Sequence, residues 1–166
     1  MSEEHYLKPL FEPESIAVFG ASDRENSVGQ VLFRNLLEGG FGGRLFPINP
    51  RHETVQGKPT FKSLHDVPGR VDLAIICTQA MTVPSIIEQC GERGVRFALI
   101  ISSGFAERGH AGAALERKVL EIARSYSVRI LGPNSLGIMR PPSRLNATFT
   151  QERAHEGTMA LVSQSG

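Results

Sequence analysis

Small, hydroxyl and amide residues gather at the ends of short apolar runs, and those junctions carry most of the chemistry this sequence can offer. The longest junction is Gly20-Ala21-Ser22-Asp23-Arg24-Glu25-Asn26-Ser27-Val28-Gly29, which follows Ile16-Ala17-Val18-Phe19. A helix beginning near Val28 would turn free backbone N–H groups and the positive end of its dipole toward this loop, the ingredients of a phosphate site. Ser22, Asn26 and Ser27 add side-chain donors. The string is not GxGxxG, and a glycine turn with Ser27 as the helix N-cap accounts for the same residues.

The end of the second apolar run decides which phosphate ligand is chemically reasonable. A site for NAD carries an acid there to accept from the ribose hydroxyls. This chain has Asn49-Pro50-Arg51-His52, with no acid before Glu53. Arg51 suits an additional phosphate on the ribose through a charge-assisted contact, and NADP and coenzyme A (CoA) both carry one. A solvated loop arginine is the plainer alternative. Covalent or metal chemistry finds no support. His5, His52, His65, His110 and His155 show no i, i+4 pairing and no nucleophile partner. Neither a GxSxG elbow nor a GxxxxGK[ST] loop occurs. No catalytic residue and no metal ligand is assigned.

The elements that must hold these loops follow from periodicity. Ile16–Phe19, Leu45–Ile48, Leu73–Cys77, Phe97–Ile101 and Val128–Leu131 are apolar runs of strand length. Pro47 within the second run predicts an edge strand. Between them lie helical stripes: Val28, Val31, Leu32 and Leu36; then Val83, Ile86, Ile87 and Cys90; then Leu115, Val119, Ile122, Ala123 and Tyr126. Gly39-Gly40 and Gly94 stop the first two helices, and Thr82 with Pro84 is expected to start the second. Strands alternating with helices predict an α/β, Rossmann-like, doubly wound fold, its mostly parallel sheet covered by helices on both faces. In such folds ligands bind beyond the carboxyl ends of the strands, where strand order reverses. Met159–Val162 reads as one further strand and Ser163-Gln164-Ser165-Gly166 as its turn. Residues 1–150 are thus expected to form one domain, and 151–166 a linker with the first strand of a truncated second domain.

Composition narrows the classes. A chain of 166 residues with a net charge of +1 and no basic stripe offers no field for nucleic acid. No apolar stretch reaches membrane-spanning length, and Met1-Ser2-Glu3-Glu4 is unlike a secretory signal. Cys77 and Cys90 lie in apolar segments without CxxC spacing, as buried reduced thiols would. A cytoplasmic protein with neither nucleic acid nor membrane as partner is the expectation.

Taken in order, several segments resemble the CoA-binding domain of NDP-forming acyl-CoA synthetases. They are Ser15-Ile16-Ala17-Val18-Phe19-Gly20-Ala21-Ser22, Ser27-Val28-Gly29, Ile48-Asn49-Pro50-Arg51, Ile76-Cys77-Thr78, Ile101-Ser102-Ser103-Gly104-Phe105 and Gly132-Pro133-Asn134-Ser135-Leu136-Gly137. The likeness extends to the alpha subunit of succinyl-CoA synthetase and to bacterial lysine acetyltransferases fused to a synthetase-like region. It implies that Asn26, Ser27 and Val28 hold the CoA diphosphate, that Arg51 meets the nucleotide end, and that Ile101, Ser102 and Ser103 line the cofactor's path. Gly20, Ala21, Ser22, Asn49, Thr78, Gly104 and Asn134 join them as matched positions. The family often has Thr-Pro-Ala where this chain has Thr78-Gln79-Ala80, and the succinate enzyme has an acid in place of Ser103. The resemblance further implies an acid–CoA ligase whose phosphoryl-accepting histidine, and whose ATP or ADP with Mg, belong to other domains or subunits. This piece would bind CoA or acyl-CoA without catalysing. A regulatory CoA sensor of an acetyltransferase, or an oxidoreductase domain for NADP, are the alternatives.

Overall fold

The computed structural model describes residues 5–163. After a short helix α1 (Lys8–Phe11), the strand β1 (Ser15–Phe19) enters the sheet with all five residues buried. Helix α2 (Val28–Glu38) leads to β2 (Arg44–Ile48), and a small hairpin of β3 (Thr54–Val55) and β4 (Lys58–Pro59) follows. Then come β5 (Leu73–Ile76), α3 (Val83–Glu92), β6 (Phe97–Ile100), α4 (His110–Ser125) and β7 (Arg129–Leu131). The five long-range strands pair in parallel in the order β2-β1-β5-β6-β7. Strand order therefore reverses between β1 and β5, which is where a doubly wound sheet opens its crevice.

Alternate residues of each strand feed two cores. Ala17, Phe19, Ala74, Ile76 and Ile100 pack against Val83, Ile87 and Cys90 of α3 and Val119 and Ala123 of α4. Ile16, Val18, Leu73, Ile75 and Leu99 pack against Leu32, Phe33 and Leu36 of α2. Both faces are covered, so near-continuous apolar runs are what these strands require. Pro47 lies on edge strand β2, as its missing N–H predicts.

Part of the second face is covered by an element the periodicity did not reveal. An antiparallel hairpin, β8 (Gly137–Arg140) and β9 (Leu145–Thr148), lies on α2 and buries Ile138, Leu145 and Ala147. The buried Asn35 of α2 ties it down, its Nδ2 donating to the carbonyls of Thr148 and Thr150, both at 2.9 Å. Sequence reading leaves 137–148 unassigned because each strand has only four residues and three of the four buried residues of β9, Asn146, Ala147 and Thr148, are small or polar.

Two expectations need correction. Thr82 precedes α3 but does not cap it: its hydroxyl donates to the carbonyl of Gln79 at 2.7 Å and lies 2.8 Å from Oγ1 of Thr78. The reason is a 3-10 turn at Ala80–Thr82, which already places Thr82 in helical conformation. Met159–Val162 forms no strand, and Met159, Leu161 and Val162 are each more than 90% exposed. Of the expected Ser163–Gly166 turn, residues 164–166 lie outside the described residues.

Replacing Asn35 with Ala leaves two carbonyls at the hairpin without their donor. We expect a loss of about 2 kcal/mol in stability, read as a lower urea midpoint.

Candidate functional site

The loop after β1 is built around two backbone approaches that only glycine permits. Gly20 has φ of +83°, and a Cβ there would lie 3.0 Å from the carbonyl carbon of Cys77. A Cβ on Gly29 would lie 1.9 Å from the carbonyl oxygen of Gly20. The first turn of α2 is thereby seated directly on the end of β1. Ser27 caps this helix, its Oγ accepting from the Gln30 N–H at 3.3 Å and donating to the Arg24 carbonyl at 2.7 Å. Asn26 reaches the cap through a left-handed conformation, φ 57°, which Asn tolerates better than most residues. Val28 is exposed and Ala21 buried. The Ser22 hydroxyl accepts from the Arg24 N–H at 3.0 Å, so it is partly used inside the loop.

Gln56 holds this loop from the outside. Its Nε2 donates to the carbonyls of Ser22 and Gln30, and its backbone N–H donates to Asp23 Oδ1 at 2.8 Å. Asn49, at the end of β2, spans the gap to β1. Its Nδ2 donates to the Ala21 carbonyl at 3.0 Å, while its Oδ1 accepts from the Arg51 N–H at 2.9 Å. An acid at this position could not make the first bond, so Asn49 serves the loops here and leaves Arg51 exposed beyond them.

Beside these loops lies a cavity of about 520 Å³. Gly20, Asn49, Arg51 and Thr78 line it, four of the residues expected from sequence. Phe19, Ile48 and Ile86 supply apolar surface, and Lys62, Ser63, Gln79, Thr82, Ser85 and Gln89 complete the polar lining. Two cations and no carboxylate face this space. Lys62 was missed because only tertiary pairing puts it there. Phe61 bridges to Ile48 in parallel, with its N–H donating to the Pro47 carbonyl and its carbonyl accepting from the Asn49 N–H. Ser85 and Gln89 were legible in principle as an i, i+4 polar pair flanking the apolar stripe of this helix.

The remaining expected residues stand outside the cavity, along the same edge of the sheet. Ser22, Asn26, Ser27 and Val28 occupy the β1 loop. Ile101 and Ser102 are buried at the end of β6, with the Ser102 hydroxyl donating to the Ile76 carbonyl at 3.3 Å. Ser103 is exposed. Gly104 and Phe105 donate their N–H groups to the Glu107 carboxylate, and the bond from Gly104 holds that carboxyl below the usual carboxylate range. Asn134 follows a cis Gly132–Pro133 bond and donates its N–H to the Ser102 carbonyl at 3.0 Å, which joins the β7 loop to the β6 loop. Four inter-strand spacings of about 4.8 Å make this row roughly 19 Å long. It can cradle an extended ligand with an anionic, partly apolar end. Burial pushes the thiols of Cys77 and Cys90 up to about 12.

A family model described as a CoA binding domain matches residues 14–141. The alpha subunit of ADP-forming acetate–CoA ligase I of Pyrococcus furiosus is 42% identical over 164 residues, covering 96% of this chain and 36% of that protein. The ADP-forming 4-hydroxybutyrate–CoA ligase of Nitrosopumilus maritimus is 41% identical, with 95% of this chain and 23% of that protein covered. Among solved structures, the dinucleotide forming acetyl-coenzyme A synthetase 1 of Ca. Korarchaeum cryptofilum, in complex with phosphate and ADP, matches with a TM-score of 0.82. That match has 43% identity and covers 86% of this chain and 30% of the other. The chain thus spans between 23% and 36% of the length of these two curated relatives.

Two measurements check the site's construction. Gly29→Ala is expected to cost at least about 1–3 kcal/mol, the usual range for overpacking, because backbone opposes the new methyl group. A denaturant midpoint equal to that of the wild type would contradict the close approach. Both thiols are expected to resist iodoacetamide at pH 8 in the folded protein and to react once urea unfolds it, as counted by mass spectrometry.

Proposed function

This chain belongs to the CoA binding domain family, and we propose that it is the CoA-binding module of an ADP-forming acyl–CoA ligase. The observation that carries this reading is the cavity beside the β1–β5 switch point, lined by Arg51 and Lys62 and by no carboxylate. CoA brings negative charge at its ribose 3′-phosphate and its diphosphate, so a cationic wall free of acids suits it. An NAD-type site would ask for an acceptor at the end of β2, where Asn49 is instead engaged with Ala21 and Arg51.

In this reading the adenosine end occupies the cavity, with the 3′-phosphate between Arg51 and Lys62 and with Asn49 and Thr78 at its entrance. The diphosphate lies on the loop of Gly20, Ala21 and Ser22 and against Asn26, Ser27 and Val28 at the start of α2. The pantetheine arm follows Ile101, Ser102, Ser103 and Gly104, past Asn134, along the carboxyl edge of the sheet. When bound, CoA supplies the thiol that accepts an activated acyl group. The protein residues hold and orient it, and fixing a reactant in place is itself a large contribution to rate. Acyl activation, with ATP or ADP and Mg²⁺, belongs to further domains or subunits of the ligase, in keeping with the fraction of each relative that this chain covers. Residues 151–166 are then a linker into such a domain, and the setting is the cytoplasm, where CoA is used.

Calorimetric titration of this chain at fixed salt tests the reading. Saturable binding of CoA is expected, with dephospho-CoA binding at least about tenfold more weakly for want of the charge-assisted contacts to Arg51 and Lys62. Arg51→Ala should move CoA part of the way toward the dephospho-CoA value while changing dephospho-CoA itself little. A folded protein that binds NADP and gives no heat with CoA would overturn the assignment.

A further inference from the structure

The cavity has a second polar wall, on α3, that phosphate recognition does not use. Ser85 and Gln89 lie one turn apart on the helix face that lines the space, and Ile86 between them is buried, 6% exposed. Gln89 is held in a defined orientation. The Leu64 N–H donates to its side-chain oxygen at 3.1 Å. Since that partner is a donor, the atom it meets must be the amide oxygen, and the NH₂ group occupies the other position. Among the described residues no acceptor engages that NH₂, while Gln89 lines the cavity. The result is a fixed pair of N–H donors beside the apolar surface of Ile86, Ile48 and Phe19, in the same space as Arg51 and Lys62.

We propose that Gln89 reads the nucleobase of the bound cofactor, donating from its amide to a ring nitrogen of adenine stacked on the Ile86 surface. This rests on the CoA reading above and adds to it the recognition of the base. An adenine ring presents nitrogen acceptors at its edge and an apolar face, which is the complement of this wall. A structural role in holding Leu64 uses only the amide oxygen, so the two roles of the side chain separate by atom.

Two substitutions exploit that separation. Gln89→Glu keeps an oxygen for the Leu64 N–H and removes the donor. Gln89→Leu removes the donor without adding charge. Both are expected to weaken CoA binding by about tenfold, the scale of one well-placed hydrogen bond, as measured by calorimetry on the same chain. Gln89→Glu is expected to keep the wild-type unfolding midpoint. Wild-type affinity in either variant overturns the proposal and leaves the CoA reading standing. A loss confined to Glu would be charge repulsion, and a loss confined to Leu would be the Leu64 contact; each also overturns it. A wild-type protein that binds no CoA removes the reading on which the proposal rests.

Discussion

The contact on which the site depends is between pieces of backbone, where the start of α2 meets the end of β1. With no side chain on Gly29, the helix sits against the Gly20 carbonyl. With none on Gly20, the end of β1 comes within reach of the Cys77–Thr78 turn. Those approaches draw the loops after β1, β2 and β5 together at the point where strand order reverses. Both binding surfaces follow from this: the cavity between β1, β2 and α3, and the helix start on which an anionic group can rest. A methyl group at Gly29 would be opposed by main chain, which has no rotamer through which to yield.

Around that contact the polar groups divide their work between holding loops and facing the ligand space. Asn49 is engaged by both of its side-chain ends, Gln56 by side chain and backbone, and Ser27 by its helix. These bonds stiffen the edge of the sheet and leave Arg51, Lys62 and Gln89 among the residues that line the cavity. The arrangement fits a site that binds and positions. Burial pushes both thiols well above the usual thiol range.

The hairpin of β8 and β9 shows how the far side of the molecule supports this edge. It covers α2, and through Asn35 it is tied to the helix whose start is packed on the end of β1. Beyond it, from Gln151 to Ser163, every residue is exposed. The Arg153–Glu38 ion pair at 2.9 Å and the bond from the Ala154 N–H to Met139 are what the described part of this stretch returns to the domain.

The sequence by itself determined the five parallel strands, the helices between them, the edge position of β2, and the loops in which a phosphate ligand should be sought. These are local properties: apolar period, glycine at turns, and proline without its N–H. Gly20, Asn49, Arg51 and Thr78 were legible for the same reason, each standing where a strand ends. Only the tertiary structure decided that Lys62 belongs beside Arg51, because a strand-like bridge between Phe61 and Ile48 brings it there. It alone decided that Thr82 is not a cap, that 137–148 is a hairpin, and that Met159–Val162 forms no strand. It also decided that the amide oxygen of Gln89 is taken, since that depends on a backbone donor 25 residues away in the chain. Strand and helix tendencies are written in neighbouring residues, whereas a hydrogen bond to a distant backbone group exists only once the chain has closed on itself.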